Sequence, residues 1–171
     1  FGVEAVSIEP GNTKMTPLNF YHYPYTHSLL AVVIWAIVFG GVYFIFKKDK
    51  RAALVCGALV LSHWVLDLIV HRPDLPLTLN ESRLAGFGVW NSMPLTLILE
   101  LGLFAVGVWI YVKNNPARDK TGKYAFWSLA VLLAAIYVMN LNGVPPNTKI
   151  LAYTALAAWI FVPWAHWADS H

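Results

Sequence analysis

Three residues that can bind a metal ion follow one another at intervals of four in an otherwise apolar stretch: His63, Asp67 and His71. On a helix, side chains at this spacing lie on one face. His63 and Asp67 are ~6 Å apart along a helix axis, so an imidazole nitrogen and a carboxylate oxygen can meet on one Zn²⁺, Mn²⁺ or Fe²⁺ ion. His71 lies ~12 Å from His63 by the same measure. We therefore expect His71 to act on a second ion, on a substrate or as a supporting residue.

Two other parts of the sequence can add chemistry to this pair. The segment 21–27 carries His22 and His27, which can supply the missing ligands. Glu100 is the single charge in an apolar run and can serve as a ligand, a general base or a proton carrier. We predict that Glu100 or His71 is the general base. The alternative is structural: the histidines and carboxylates hydrogen-bond between helices, and Glu100 is neutral or paired.

The elements that must position these residues are membrane helices. The chain of 171 residues is 58% hydrophobic and 12% charged, whereas soluble domains have about 25% charged residues. Apolar runs long enough to cross a bilayer predict five helical spans, over 28–46, 52–70, 94–112, 124–141 and 150–168. We therefore predict an all-α fold, a polytopic membrane helix bundle that forms one integral membrane domain over 1–171, with 1–26 as an outer-face segment. Because the sequence begins with Phe1, we also expect a missing upstream segment with a sixth span.

The basic residues predict how these spans are oriented. Eight of the twelve lie in two loops, which follow the first and third spans: Lys47, Lys48, Lys50, Arg51, Lys113, Arg118, Lys120 and Lys123. The positive-inside rule makes both loops and the C-terminus cytoplasmic and puts His27, His63 and His71 at the outer leaflet. The net charge of +3 sits in short loops and does not indicate a nucleic-acid partner. The expected partners are membrane lipid and, in a complex, other membrane subunits.

Two motifs resemble those of a known family. The run His22-Tyr-Pro-Tyr-Thr-His-Ser28 resembles the His-Arg-x-x-Thr-His-Ser element of a bacterial family of predicted membrane-bound metal-dependent hydrolases, some of them LexA-regulated. Ser62-His-Trp-Val-Leu-Asp67 resembles the Ser-His-x-x-x-Asp element of that family. Tyr23 stands where the family has arginine. Together with Gly88-Val-Trp-Asn-Ser92, these runs look like a subgroup of small uncharacterised inner-membrane proteins.

The resemblance implies a ligand set and a location. By position in the motifs, the ligands of a divalent metal are His22, His27, His63 and Asp67. The metal is expected to be Zn²⁺ before Mn²⁺ or Fe²⁺, and the protein a multi-pass protein of the bacterial inner membrane.

Three functions are consistent with these observations. The first is metal-dependent hydrolysis of a lipid or other amphiphilic substrate at the outer leaflet, with the metal lowering the pKa of a bound water to ~7. The second is a non-catalytic accessory subunit of a larger membrane complex, associated with a pigment or another cofactor. The third is proton-coupled transport through Asp67 and Glu100, which the absence of an internal repeat disfavours. Whether the chain is an enzyme stays open between them.

Overall fold

The computed structural model describes residues 3–141 and 143–171, and its architecture is a set of long apolar helices with two short hairpins at one end. The elements in chain order are β1 (Ala5–Ile8), β2 (Leu18–His22), α1 (Pro24–His27), α2 (Leu29–Lys47), α3 (Lys50–Val70), β3 (Leu75–Pro76), β4 (Leu84–Ala85), α4 (Met93–Asn114), α5 (Lys120–Asn140), α6 (Thr148–Ala157) and α7 (Phe161–Ser170). Single 3-10 turns cover Val89–Asn91 and Ala158–Ile160. The predicted all-α class is confirmed.

Within residues 3–141 and 143–171, five helical spans are long and apolar enough to cross a bilayer. Four are α2, α3, α4 and α5, and the fifth runs from α6 through α7 over Thr148–Ser170. At ~1.5 Å of rise per residue, helices of this length cover the ~30 Å of a hydrocarbon core. Their apolar surfaces are mostly uncovered by the rest of the chain and therefore contact lipid. The chain is a multi-pass membrane protein.

The ends of the helices follow from capping residues and one proline. Four helices begin where a side-chain oxygen accepts a backbone N–H, at Ser28, Asp49, Asp119 and Asn147. The sequence predicted one regular helix for the fifth span. The structure instead has a 3-10 turn that interrupts this span shortly before Pro163. The proline ring cannot donate a hydrogen bond and collides with the carbonyl of Trp159, which lies in that turn.

Helices α2 and α3 pack closely because two glycines let their backbones approach. A Cβ atom on Gly40 would lie 2.9 Å from the carbonyl oxygen of Ala53, and one on Gly57 would lie 3.0 Å from that of Ala36. Such approach through small residues is the usual way in which helices pair in a membrane, where the hydrophobic effect does not drive them together. This pairing fixes the end of α1 against α3, where the candidate site lies.

The two hairpins cap the end of the bundle that we call the hairpin face. Strand β1 pairs with β2 and β3 with β4, both antiparallel. The segment 86–88 donates hydrogen bonds from Phe87 to the carbonyl of Leu68 and from Gly88 to that of His71, which satisfies the end of α3. Gly86 has a φ of +147°, and any side chain there would collide with the carbonyl oxygen of Arg72. This cap is therefore built by a glycine that no other residue can replace without strain.

A small apolar core lies beneath the cap and joins four segments. It consists of Tyr23, Val32, Trp64 and Leu75, which come from the N-terminal region, α2, α3 and β3. The opposite end, which we call the basic face, holds the turn between α2 and α3 and the loop between α4 and α5. The candidate site and the basic loops therefore lie at opposite ends of the bundle.

Candidate metal centre

His27, His63 and Asp67 converge at the junction of α1 and α3. Each offers one ligand atom, and these three atoms lie within 4.8 Å of one another. The Nε2 atom of His63 is 3.2 Å from Oδ2 of Asp67, one helical turn away, and Nε2 of His27 is 3.9 Å from the same oxygen. The two imidazole rings are 5.3 Å apart between centroids. The helix spacing predicted the His63–Asp67 pair, and the fold adds His27 to it.

These distances suit a single ion. Ligand atoms at bonds of ~2.0–2.2 Å in a tetrahedral arrangement lie ~3.3–3.6 Å from one another. The separations of 3.2 and 3.9 Å from the Asp67 oxygen bracket that range. All three atoms lie within 4.8 Å of one another, so they would have to move closer together to share one cation.

The carboxylate of Asp67 is the member of this group whose surroundings can be tested against a bound cation. Its Oδ2 atom is buried and forms no hydrogen bond of acceptable geometry within the described chain, although Nε2 of His63 lies 3.2 Å from it. A buried polar atom left without a partner costs about 1–3 kcal/mol, and more when it is charged. A divalent cation between this oxygen and the two histidines would remove that cost, so the donor set fits a metal.

A hydrogen-bond chain behind His27 fixes which of its nitrogens is free. The Thr26 hydroxyl donates to Oε2 of Glu4 at 2.6 Å, and its oxygen lies 2.6 Å from Nδ1 of His27. Because the single hydroxyl proton is used toward Glu4, Nδ1 of His27 must be the donor to Thr26. Nε2 then presents a lone pair toward Asp67, as a metal ligand requires. Burial also lowers the pKa of His27, which favours the neutral imidazole that binds metals.

His22, the fourth predicted ligand, lies apart from this group. Its Nδ1 atom is 2.8 Å from Oε2 of Glu81, and Oε1 of the same carboxylate accepts the backbone N–H of Tyr23. Glu81 has a φ of +53°, a left-handed conformation that is unfavourable for residues other than glycine. The pair ties β2 to the second hairpin, and the role of His22 as a ligand stays a prediction.

His71, one of two predicted general bases, is buried in a polar cluster beside the site. Its Nδ1 atom lies 3.0 Å from Oδ1 of Asp74, and Arg72 donates to the other oxygen of that carboxylate at 2.9 Å. Burial raises the pKa of Asp74, but the hydrogen bonds from His71 and Arg72 outweigh it and hold this pKa below its usual value. Tyr23 lies between His71 and His27, with ring centroids 6.1 and 5.0 Å away. Burial and the nearby Asp74 raise the pKa of Tyr23, so its hydroxyl stays protonated.

Glu100, the other predicted base, is linked to His71 through a tryptophan. Its Oε1 atom accepts the indole N–H of Trp90 at 2.9 Å, and the Trp90 ring packs on His71 with centroids 4.5 Å apart. The Tyr137 hydroxyl lies beside the same carboxylate without a well-oriented hydrogen bond. Neither Glu100 nor His71 belongs to the three-residue group, and their roles as bases stay predictions.

Sequence reasoning did not identify the residues that support the site. Thr26 precedes His27 within the family-like motif, so its position was the one available signal. Glu4 and Glu81 lie far from the histidines along the chain, at positions with no periodicity, and only the folded hairpins bring them to Thr26 and His22.

Comparison with models of protein families, with curated proteins and with solved structures found no match to this chain. The resemblance to membrane-bound metal-dependent hydrolases therefore stays an expectation. Any proposal for the function of this chain depends on the geometry of His27, His63 and Asp67.

Proposed function

We propose that this chain is a membrane-bound, metal-dependent hydrolase that acts on a lipid or other amphiphile at the outer leaflet. One observation carries the proposal: two imidazole nitrogens and a buried carboxylate oxygen without a hydrogen bond converge within 4.8 Å. Three protein ligands with an open position are typical of catalytic zinc sites, whereas structural zinc sites are closed by four.

The residues of the chain have distinct tasks in this proposal. His27, His63 and Asp67 hold the ion, and Thr26 with Glu4 keeps His27 in the tautomer that can bind it. A bound divalent metal would lower the pKa of its water ligand to about 7, so that hydroxide is available as a nucleophile at neutral pH. In hydrolysis, that water's hydroxide joins one fragment of the cleaved bond, and its proton goes to the other.

The depth of the site supports an amphiphilic substrate. His63 lies ~10 Å below the hairpin-face end of α3, by the rise of a helix. Its side chain is 58% exposed, compared with 13% for Asp67, so the open side of the group faces the surface that lipid covers. A lipid headgroup or the bond that joins it to its chains can reach this depth, whereas a fully water-soluble substrate has less access.

Hydrolysis by metal-loaded protein tests this function directly. The full chain is stripped with a chelator, reloaded with Zn²⁺ and incubated with vesicles of phosphatidylethanolamine and phosphatidylglycerol, and lipid products are measured by mass spectrometry. We expect product with Zn²⁺ and none after chelation or in His63→Gln. His166→Gln, a histidine at the basic face, is the matched control and should keep the activity. Equal product from the stripped and reloaded protein would refute the proposal.

A subunit role is the alternative that the helix surfaces favour. Only 6% of the residues in the apolar stretch of α4, and none in that of the fifth span, are buried by the rest of the chain. Partner helices therefore have room to pack there. Purification in mild detergent distinguishes the two functions, since an accessory subunit should bring stoichiometric membrane partners with it. A chain that purifies alone and is active supports the hydrolase.

A further inference from the structure

The basic face carries a cavity that the metal site does not use. It has a volume of 560 Å³ and lies where α4 ends, α5 begins and α7 terminates. Both polar and aromatic side chains line it, among them Tyr111, Asn114, Arg118, Lys123 and Trp127. By its place at the ends of three membrane helices, this cavity lies at the level of the lipid headgroups.

The cations that line this cavity are available for a ligand. Among the residues the structure describes, neither Arg118 nor Lys123 forms an ion pair. One carboxylate, that of Asp169, also lines the cavity, and it and the carboxylate of Asp119 already have hydrogen-bond partners. Asp119 accepts the backbone N–H of Gly122 and lies 3.2 Å from Nδ1 of His171, and Asp169 accepts the Tyr111 hydroxyl at 3.2 Å. An anion entering the cavity would therefore meet a guanidinium and an ammonium group that are free to bind it.

An apolar groove between α4 and α5 adjoins the cavity. The groove has a volume of 460 Å³, and Val112 and Trp127 line both spaces. Its other walls are apolar residues one or more turns deeper in the membrane, including Phe104, Ala105 and Ala134. The ammonium group of Lys113 lies 5.0 Å over the ring of Trp109, which also lines the groove. A polar cavity beside an apolar groove matches the shape of an amphiphile, which has a charged head and a long apolar chain.

We infer that this space is a binding site for one anionic phospholipid of the basic-side leaflet, with its phosphate on Arg118 and Lys123 and an acyl chain in the groove between α4 and α5. Basic pockets between membrane helices are a common way to bind anionic headgroups. The inference is independent of the metal centre, which lies at the opposite face. A bound lipid would also fill the gap between α4 and α5 and so hold these two helices together.

Lipid retention by the purified full chain tests this site. The protein in mild detergent is titrated with phosphatidylglycerol, and bound lipid is counted by native mass spectrometry. We expect the double variant Arg118→Gln/Lys123→Gln to bind about 25-fold more weakly, because each basic residue near a membrane surface contributes about fivefold. Lys47→Gln/Arg51→Gln is the matched control: it removes one lysine and one arginine from the other basic loop and should bind as the native chain does. Equal weakening in both double variants would mean general charge attraction and would overturn the site.

Two further arms separate the lipid from simpler ligands. Ala105→Trp fills the groove without changing any charge, and we expect it to weaken phosphatidylglycerol binding as well. Inorganic phosphate and phosphatidylcholine should not raise the thermal stability of the native chain, whereas phosphatidylglycerol should. Equal stabilisation by inorganic phosphate would replace the lipid with a free anion. Unchanged phosphatidylglycerol binding in Ala105→Trp would contradict a chain in the groove.

Discussion

The candidate metal centre depends on how each histidine uses its two ring nitrogens. His27 turns Nδ1 toward Thr26 and Nε2 toward Asp67, and the Thr26 hydroxyl is itself held by Glu4. Residues behind a ligand that fix its tautomer typically change metal affinity 10–100-fold when they are removed. The candidate centre is therefore a group of three convergent side chains with a supporting carboxylate from Glu4, rather than a run of histidines.

Thr26→Val tests the support behind His27. Valine keeps the shape of threonine but removes the oxygen that accepts from Nδ1, so His27 can adopt the tautomer that blocks Nε2. We expect Zn²⁺ affinity, measured by competition with a chelating dye, to fall about 10–100-fold. Thr154→Val is the control, because the Thr154 hydroxyl bonds only to carbonyls of its own helix. An affinity that is unchanged in Thr26→Val would show that the hydrogen-bond chain has no part in binding.

Asp74→Asn tests the polar cluster around His71. Because the pKa of Asp74 is lower in the folded protein than its ordinary value of 3.8, its carboxylate stabilises the fold above pH 3.8. That contribution is lost as the pH falls through the lower, folded value. We expect the variant to be about 1–3 kcal/mol less stable at pH 7, from lost hydrogen bonds to a charged group. Thermal unfolding in detergent should show this difference shrinking below pH 3.8, and a pH-independent difference would contradict it.

At the residue scale, local spacing predicted what lies within one helix and little else. His63 and Asp67 meet as the sequence indicated, because one turn of α3 brings them together. The sequence predicted His27 as a ligand from the motif, but the Glu4–Thr26 chain and the His22–Glu81 pair depend on long-range contacts of the hairpins. No periodic pattern records such contacts, so reasoning from spacing could not find them.

The pair of α2 and α3 is the element that sets the geometry of the centre. His27 directly precedes α2, whereas the other two ligands lie on α3. The distance between the helices is set by Gly40 and Gly57, whose missing side chains allow backbone contact. Any change that separates these helices should move His27 away from its partners.

Gly40→Val tests this coupling between packing and site. A valine would press on the Ala53 carbonyl, and such overpacking typically costs about 1–3 kcal/mol. We expect both the thermal stability in detergent and the Zn²⁺ affinity to fall. Gly41→Val is the matched control, since a Cβ atom on Gly41 meets nothing within 4 Å. Equal effects of the two variants would mean that helix propensity, rather than contact with α3, explains the loss.

The helices could be predicted because a helix that crosses a bilayer needs a continuous apolar run of about 20 residues. Each predicted span overlaps the helix found, with ends that differ by up to a few residues, as between 124–141 and Lys120–Asn140. The sequence analysis overlooked the break before Pro163 because mean hydropathy does not register a missing hydrogen-bond donor. The hairpins on the hairpin face were also missed, since strands β3 and β4 have two residues each and give no alternating pattern.

For the whole molecule, the two ends of the bundle have different chemistry. The hairpin face carries the candidate metal centre under a polar cap, and the basic face carries the lysines and arginines of two loops. The positive-inside rule predicts that the basic face is cytoplasmic and that the candidate metal centre lies on the other side. This orientation is a prediction from charge.

Labelling of single cysteines tests the orientation. In a Cys56→Ser background, Asn80→Cys lies between β3 and β4 on the hairpin face, and Asn115→Cys lies after α4 on the basic face. A maleimide that cannot cross membranes, added to intact cells, should label position 80 and leave position 115 unlabelled until the cells are opened. The reverse pattern would place the metal centre in the cytoplasm and exclude an outer-leaflet substrate.

Metal content per chain tests the central claim most directly. The purified full chain, stripped and then reloaded with Zn²⁺, is compared with His63→Gln/Asp67→Asn and with His166→Gln/Asp169→Asn, which makes the same changes at the basic face. We predict about one Zn²⁺ per chain in the native protein and in the control, and none in the first variant, as expected for ligands that must be deprotonated and converge. No bound metal in the native chain, or equal metal in all three, would contradict the account.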